Sequence, residues 1–324
     1  MMIDIVIPCY RVSQHVRQVV EEALTLPDIR NVIVIDDACP EHSGSLVSAA
    51  FPAEPRVIVL RHEENQGVGG AVLTGYEHAF ANDAEIVIKV DGDGQMPPHR
   101  IPQLIATILR KEADYAKGNR FFYPRELSRM PRLRLIGNAA LSLVNKFSSG
   151  YWSVMDPTNG FTALHREAYR HLELSAIDRR YFFESDMLFQ LGIINAVVAD
   201  VAMPVIYGQE NSSLNISSAL VQFPLKYLKR LLKRIGFKYY VREFNIASLE
   251  ILFGLPALMT GLIFGGVEWA SHMEVNEVTP AGTVMIVGLL ILIGFQLLLS
   301  AINYDITHEP TIPLLRRSAD RTAA

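Results

Sequence analysis

The sequence predicts an α/β domain with a mostly parallel sheet over residues 1–215, followed by a basic amphipathic helix and two membrane-spanning helices. Short β-branched runs alternate with segments of helical periodicity through the N-terminal two thirds of the chain. Residues 224–235 place leucines on one helical face and basic residues on the other. Two long stretches without charge lie near the C-terminal end. These patterns predict a division into residues 1–215, 216–245, 246–304 and 305–324.

The composition excludes several classes of protein. Half of the 324 residues are hydrophobic and the mean hydropathy is +0.20, which excludes a disordered chain. A formal net charge of −4 provides no general attraction for nucleic acid, so we expect no nucleic-acid partner. The two cysteines, Cys9 and Cys39, form no CxxC motif, which argues against a zinc site or a disulfide framework.

The predicted elements follow one another in a regular order. Residues 3–8 form an apolar run that predicts the first strand, and a helix with Ser13 as its N-cap follows. Three further strands are predicted at residues 32–35, 57–60 and 86–90, with helices at 69–81 and 101–111. In such sheets ligands bind beyond the carboxyl ends of the strands, so the residues at those ends are the candidate site.

Those strand ends are polar. They carry Pro8-Cys9-Tyr10, Asp36-Asp37, Arg61 and Asp91-Gly92-Asp93-Gly94-Gln95. An Asp-x-Asp pair at a strand end can direct two carboxylates to one hard cation, and that cation can bridge a nucleotide diphosphate. We therefore expect a divalent metal, Mg²⁺ or Mn²⁺, on Asp91 and Asp93, although the same letters also fit a surface turn.

A glycine-rich segment, Asn65 to Gly70, opens the third predicted helix. Small residues there allow a ligand to approach the backbone, and free amides favour an anion. The segment has neither the Walker nor the Rossmann spacing. A donor-site loop and a structural turn are both compatible with it.

Two further groups of charged residues are candidates for contacts with a second substrate. Glu184 and Asp186 form a carboxylate pair where a helix is predicted to begin near Glu184; a plain surface helix start is the alternative. Arg132 and Arg134 lie in a predicted polar connector after other arginines, and clustered guanidinium groups suit bidentate capture of a phosphate. A solvated charge run would look the same.

The ordered segments IPCYR, VIVIDDACP, ENQGVGGAVLTGYEHA, VIKVDGDGQMPP, KGNR and DPTNGFTALHREA resemble family 2 glycosyltransferases of the GT-A fold. Within that family the chain is most similar to polyprenyl-phosphate and dolichyl-phosphate hexosyltransferases. The resemblance covers about residues 1–215. The two C-terminal spans also resemble those of the membrane-anchored members.

The resemblance implies roles for individual residues. It implies that the nucleotide sugar is bound by Pro8, Tyr10, Asp36, Asp37, Asp91 and Arg120, and the glycine-rich segment adds Asn65 and Gly67 as candidates. It places the metal on Asp91 and Asp93, with Gln95 near the sugar. On the acceptor side it implies Asn159, and the two charged groups above add Arg132, Arg134 and Glu184. Asp186 corresponds to the base that many superfamily members use to deprotonate a sugar hydroxyl.

The C-terminal third predicts membrane attachment. Residues 251–267 and 278–304 carry no charge and are long enough to span a bilayer. Lys and Arg flank the spans, but residues 268–283 between them have none, which places both termini in the cytoplasm. Residues 224–235 fit a helix lying on anionic lipid, or else a helix packed on the catalytic domain with a solvated basic face. The Gly261-x-x-x-Gly265 spacing leaves homo-oligomerisation open.

The resulting hypothesis is a metal-dependent, inverting transferase at the cytoplasmic membrane surface. It would move a hexose from a UDP- or GDP-linked donor to a polyprenyl phosphate, an acceptor that needs no base because it is already anionic. One alternative is transfer to a lipid-linked saccharide or another hydroxyl acceptor, with Asp186 as base. The other is a non-catalytic membrane scaffold that only binds nucleotide.

Overall fold

A computed structural model describes residues 1–123, 132–203 and 216–317. Within these ranges one sheet contains seven strands in the order β3-β2-β1-β4-β6-β5-β7. The strands are β1 Ile3–Cys9, β2 Ile29–Asp36, β3 Val57–Arg61, β4 Ile86–Lys89, β5 Tyr115–Asn119, β6 Thr162–His165 and β7 Val198–Ala202. Strand β6 runs antiparallel to β4 and β5, and the other neighbours are parallel. The predicted α/β domain with a mostly parallel sheet is confirmed.

Helices cover both faces of this sheet. The helices of the described residues are α1 Val16–Leu24, α2 Ser43–Ala50, α3 Val68–Ala81, α4 Ile101–Leu109, α5 Arg132–Ser149, α6 Arg166–His171, α7 Phe183–Ile193, α8 Ile216–Ile235, α9 Ile246–Glu274 and α10 Ala281–Thr307. Alternate residues of β1 enter opposite cores: Ile5 packs with α1 and α4, whereas Val6 packs with α3 and α7. Burial on both faces explains why the strands read as continuous apolar runs.

Two local predictions were wrong. Helix α1 begins at Val16 after His15, and the Ser13 hydroxyl donates instead to Glu41 Oε2 at 2.6 Å. The loop after β1 is thus held by the loop after β2, which removes Ser13 from the cap position. Arg132 and Arg134 lie in the first turn of α5 rather than in a connector. The preceding residues, 124–131, and the side chains of these two arginines lie outside the described residues.

The chain divides into two compact units, one of residues 1–231 with 310–324 and one of residues 232–309. In the second unit α9 and α10 pack along each other and are long and apolar enough to cross a membrane. Glycines allow this packing: a Cβ on Gly294 would lie 2.5 Å from Leu258 N, and one on Gly261 would lie 2.8 Å from Ile291 Cγ1. Gly261 therefore contacts the same chain's second apolar helix, and homo-oligomerisation stays a prediction.

A buried ion network closes the polar end of the second unit. Asp305 accepts hydrogen bonds from Arg234, from Lys238 Nζ at 2.9 Å and from the Tyr239 hydroxyl at 2.5 Å. Burial and the neighbouring Asp305 charge raise the pKa of the Tyr239 hydroxyl. Three donors on one carboxylate offset the cost of burying these charges.

Candidate active site at the carboxyl edge of the sheet

The centre of the site is a buried lysine at the end of β4. Lys89 Nζ lies 2.7 Å from Asp91 Oδ1 and 3.1 Å from Glu184 Oε1. The Lys89 side chain is fully buried, whereas the Asp91 side chain is 28% exposed. Burial lowers the pKa of Lys89, but the charges of Asp91 and Glu184 outweigh burial and the pKa is raised. Lys89 is therefore an ammonium group that links the Asp-x-Asp segment to α7.

The rest of the Asp-x-Asp segment folds back against the end of β1. Gln95 N–H donates to Asp93 Oδ1 at 3.0 Å, and Gly94 takes a φ of +76°, which favours glycine. A Cβ on Gly92 would lie 3.1 Å from Val12 Cγ2 and 3.5 Å from Cys9 Sγ. The ends of β1 and β4 therefore meet at one edge, as expected for neighbouring parallel strands.

The segment around Asn159 reaches the same point from the other side. A Cβ on Gly160 would lie only 2.2 Å from Lys89 Nζ and 2.6 Å from Asp91 Oδ2, so any larger residue there would displace these two side-chain ends. Lys117 donates to the Asn159 carbonyl oxygen, and Asn159 Oδ1 accepts from Phe161 N–H at 2.9 Å. The structure thus brings Asp91, Gly160 and Glu184 together, although they are far apart in the sequence.

The two aspartates after β2 organise loops. Asp36 accepts from the backbone N–H groups of Cys39 at 2.8 Å and Gly44 at 3.1 Å. Asp37 accepts from Gln66 N–H and Gly67 N–H, both at 2.8 Å. A further contact joins Asn65 Nδ2 to Asp37 Oδ2 at 2.9 Å. Asp37, Asn65 and Gly67 therefore form one cluster, and their contact with a nucleotide stays a prediction.

The glycines that open α3 allow a close approach between two backbone segments. A Cβ on Gly67 would lie 2.7 Å from Arg179 O, and one on Gly69 would lie 2.5 Å from Asp178 O. Gly70 N–H donates to Arg179 O at 2.9 Å. These contacts show that the glycines allow close packing of two backbone segments, as the alternative of a structural turn expects. Beside them lies an open cleft of about 570 Å³ lined by Arg61, His62, Glu63, Glu64, Gln66 and Arg179.

Arg120 is fixed by an ion pair of good geometry. Its Nε and Nη2 atoms lie 2.7 and 2.9 Å from the carboxylate of the fully buried Asp156. Burial lowers the pKa of the neighbouring Lys117 to about 8, an effect that the Asp156 charge partly opposes. Pro8 is buried near the end of β1, and Tyr10 is exposed with the Arg11 guanidinium 5.4 Å from its ring.

Helix α7 separates its two carboxylates. Glu184 contacts Lys89, whereas Asp186 is fully buried and accepts from Arg230 Nε at 2.6 Å and Nη2 at 2.8 Å. Asp178 N–H also donates to Asp186 Oδ2 at 2.8 Å. Burial raises the pKa of Asp186, although Arg230 partly opposes this effect. Neither residue is a plain surface helix start.

Helix α8 turns basic residues toward the α/β domain. Lys226 pairs with Asp178, Arg230 pairs with Asp186, and the Tyr227 hydroxyl lies 2.7 Å from Ser185 Oγ. The leucines of the opposite face are exposed: Leu225 by 66%, Leu228 by 51% and Leu232 by 62%. The alternative in which α8 packs on the domain with its basic face in solvent is therefore wrong for Lys226 and Arg230.

Sequence reasoning missed Lys89, Lys117, Asp156 and Arg230 as parts of this arrangement. A signal was present, because a lysine inside the apolar strand runs VIKV and YAKGN must be buried and must have a partner. The partners could not be identified, since Glu184 and Asn159 lie in distant segments.

Asp91 and Asp93 are the residues that would hold the predicted metal. In the part of the chain that the structure describes, no three His, Cys, Asp or Glu side chains are grouped to hold a metal ion. Asp91 and Asp93 nevertheless offer carboxylate oxygens, the ligands that Mg²⁺ and Mn²⁺ prefer. Glycine at position 160 keeps side-chain atoms away from Asp91 Oδ2. The donor set fits a cation that takes its remaining ligands from a bound diphosphate.

Known relatives match most of this chain. The UDP-N-acetylglucosamine–dolichyl-phosphate N-acetylglucosaminyltransferase of Methanococcus voltae is 27% identical over 244 residues, which cover 72% of this chain and 96% of that protein. The polyprenol monophosphomannose synthase of Mycolicibacterium smegmatis is 25% identical over 205 residues, covering 63% of this chain and 76% of that protein.

Solved structures show the same fold. Glucosyl-3-phosphoglycerate synthase from Mycobacterium tuberculosis, in complex with Mn²⁺, UDP and glucosyl-3-phosphoglycerate, has a TM-score of 0.53 and 19% identity, covering 72% of this chain and 80% of that one. The catalytic domain therefore has the GT-A fold. The sequence model described as glycosyl transferase family 2 matches residues 4–173, more than half of the chain. The Asp-x-Asp strand end, the fold and this match together show that the chain belongs to the family 2 glycosyltransferases.

Proposed function

We propose that this glycosyltransferase moves a hexose from a UDP- or GDP-linked donor to a polyprenyl phosphate. The observation that carries the proposal is the meeting of the predicted donor and acceptor segments. Asp91 lies against Gly160 and is joined to Glu184 through Lys89. A transferase needs its two substrates in contact at one point, and this arrangement supplies such a point.

On the donor side, Asp91 and Asp93 would hold Mg²⁺ or Mn²⁺ against the diphosphate. Such an ion would neutralise the negative charge of the leaving group. Gln95 follows Asp93 in the same turn and is the candidate contact to the sugar. In-line attack by the acceptor gives inversion at the anomeric carbon as the expected outcome.

On the acceptor side, the position of Asp186 favours a phosphate over a hydroxyl. A hydroxyl acceptor needs a base, but both Asp186 oxygens accept hydrogen bonds from Arg230 in a buried pair. A phosphate acceptor is already anionic and needs none. Two relatives are named for dolichyl phosphate and for polyprenol monophosphomannose, which agrees with this choice. Arg132, Arg134, Asn159 and Glu184 remain the candidate acceptor contacts.

We also propose that the protein is held at the cytoplasmic face of a membrane by α9 and α10. Both helices expose apolar side chains along their length, and the leucines of α8 add an apolar strip. Residues 310–317, which follow α10, pack on the catalytic domain, which supports an even number of crossings. The arginines and lysines beside the spans favour the cytoplasmic side.

The test is transfer of radiolabel by the purified full chain. UDP- and GDP-linked hexoses would be supplied in turn with a polyprenyl phosphate, and the lipid product counted after solvent extraction. We expect one donor to label the lipid phosphate in the presence of Mg²⁺ or Mn²⁺. Labelling of only a lipid-linked saccharide would favour the hydroxyl-acceptor alternative. Donor binding without transfer to either acceptor would contradict the proposal.

A further inference from the structure

We propose that Lys89 is a built-in cation that makes divalent-metal binding at Asp91 and Asp93 depend on bound nucleotide. In this proposal Lys89 is a positioning residue, because it acts through Asp91 and Glu184 rather than on the substrate. The inference rests on the proposed function in one respect, namely the assignment of Asp91 and Asp93 as metal ligands.

The position of the ammonium group is the first argument. Lys89 Nζ contacts one carboxylate oxygen of Asp91 at 2.7 Å and one of Glu184 at 3.1 Å. Gly160 covers it so closely that a single added carbon would lie 2.2 Å from Nζ. The ammonium group thus occupies the place between two carboxylates where a free cation would otherwise bind.

Charge is the second argument. With Lys89 protonated, the group of Asp91, Glu184 and Lys89 carries a formal charge of −1, and without the lysine charge it would carry −2. A positive charge next to Asp91 repels a second cation, and because the Lys89 side chain is fully buried, no water surrounds the ammonium group to screen that repulsion. Asp91 and Asp93 alone are then poor competitors for a divalent ion.

The consequence is an order of binding. A nucleotide diphosphate brings negative charge and additional oxygen ligands, which together overcome the repulsion from Lys89. The metal and the nucleotide therefore bind cooperatively, and each raises the affinity of the other by the same factor. Lys89 also keeps Asp91 in place while the site is empty.

The experiment measures Mn²⁺ binding to the purified full chain by electron paramagnetic resonance, first without nucleotide and then with UDP or GDP. For the wild type we expect weak binding alone and binding at least about tenfold tighter with one of the two nucleotides. Lys89→Met and Lys89→Gln remove the charge. In the absence of nucleotide, both variants should bind Mn²⁺ at least about tenfold more tightly than the wild type does. Their transfer activity should fall.

The matched control is Lys117→Gln. Lys117 is equally buried on β5, but it donates to the Asn159 carbonyl rather than to Asp91, so this variant should not gain nucleotide-free Mn²⁺ affinity. Lys89→Arg keeps the charge and should keep the nucleotide dependence. In the double variant Lys89→Gln/Glu184→Gln, the carboxylate of Glu184 is replaced by a neutral amide. Its affinity for Mn²⁺ without nucleotide should return toward that of the wild type.

Two outcomes would overturn the inference. One is tight Mn²⁺ binding by the wild type without nucleotide, which needs no variant to fold. The other is a folded Lys89→Gln protein, verified by thermal unfolding, whose nucleotide-free affinity stays at or below the wild-type value. Wild-type transfer to polyprenyl phosphate is scored separately, so failure of the inference is distinguishable from failure of the proposed function.

Discussion

Single carboxylates at the edge of the sheet carry the proposed chemistry, and Asp93 is the sharpest case. The substitution Asp93→Ala should lower the rate of sugar transfer by about 10²- to 10³-fold, because stabilisation of the leaving group is lost. The thermal midpoint should change little, since a side chain in the turn after β4 contributes little to the core. EDTA should inactivate the wild type to the same extent. Full activity of the variant in metal-free buffer would contradict the role.

Asp186 separates the two acceptor classes. In Asp186→Asn the buried pair with Arg230 is broken, at a cost in stability of about 3–5 kcal/mol. Turnover per folded molecule should nevertheless persist with polyprenyl phosphate. Loss of a general base would instead lower turnover by about 10²- to 10⁴-fold. Asp186→Asn/Arg230→Met, which removes both charges, is the stability control, and a loss in that range by both variants would favour a hydroxyl acceptor.

Asp200 gives the catalytic domain a predictable pH dependence. Burial raises the pKa of Asp200 to about 6, although Met155 N–H and Asn119 Nδ2 donate to its Oδ2. The unfolded pKa is about 4, so the folded state binds more protons between these values. The stability from this group is complete below about pH 4 and is lost as the pH rises through about 6.

At pH values above neutral, Asp200→Asn should therefore have a free energy of unfolding about 1–2 kcal/mol higher than the wild type. The decline of that free energy between about pH 4 and 7 should also be smaller in the variant. Thermal midpoints of both proteins across this range provide the measurement. An unchanged slope in the variant would assign the pH dependence to other groups.

The sequence predicts some of these residues and not others. Asp91 and Asp93 could be predicted because the strand and the turn that position them are local. The partners of Lys89 could not, since Glu184 is 95 residues away and its direction depends on where α7 begins. Asp36 and Asp37 were expected at the site, but their hydrogen bonds to loop amides require the loops to be placed first.

At the scale of elements, the two sides of α8 differ in their surroundings. Lys226 and Arg230 bind the catalytic domain, whereas Lys229 and Lys233 are exposed beside the leucines. Lys229→Glu/Lys233→Glu should remove at least about 2 kcal/mol of attraction to an anionic bilayer. We expect transfer to a long-chain acceptor in anionic vesicles to fall, with much less effect on a short, water-soluble polyprenyl phosphate.

Lys226→Glu is the matched control for this helix. It breaks the ion pair with Asp178 inside the catalytic unit and should lower stability and both transfer rates together. Equal losses on both acceptors for the exposed-lysine variant would show that these lysines also support the fold. Unchanged rates on both would exclude a docking role.

Elements with strong periodicity were predicted well, because period and length depend on neighbouring residues only. The strands β1 to β4 and the two apolar helices are of this kind. The direction of β6 was not predictable, because Thr162–His165 is only four residues long and its antiparallel partner β4 is distant in the sequence. The N-cap at Ser13 failed for the same reason, since Glu41 belongs to another loop.

At the scale of the whole molecule, the catalytic unit is built from both ends of the chain. Asp114, which precedes β5, accepts from Leu314 N–H at 3.0 Å and Leu315 N–H at 3.1 Å, and also from Val197 N–H at 2.8 Å. Leu315 is buried, and Leu314 packs against the core cluster of α3 and α7. Contacts across 200 residues of sequence separation attach the C-terminal segment to the domain that precedes α9 and α10.

This attachment predicts an energetic coupling between Asp114 and the tail. Asp114→Ala leaves up to three backbone donors without their acceptor and should cost about 2–4 kcal/mol. Deleting residues 310–324 removes two of those donors. It also removes the Leu315 side chain, whose burial contributes about 2 kcal/mol to the free energy of unfolding. In the deletion background Asp114→Ala should therefore cost clearly less, because only Val197 still depends on it. Thermal midpoints of the four proteins complete the cycle, and strictly additive losses would show that the tail does not depend on Asp114.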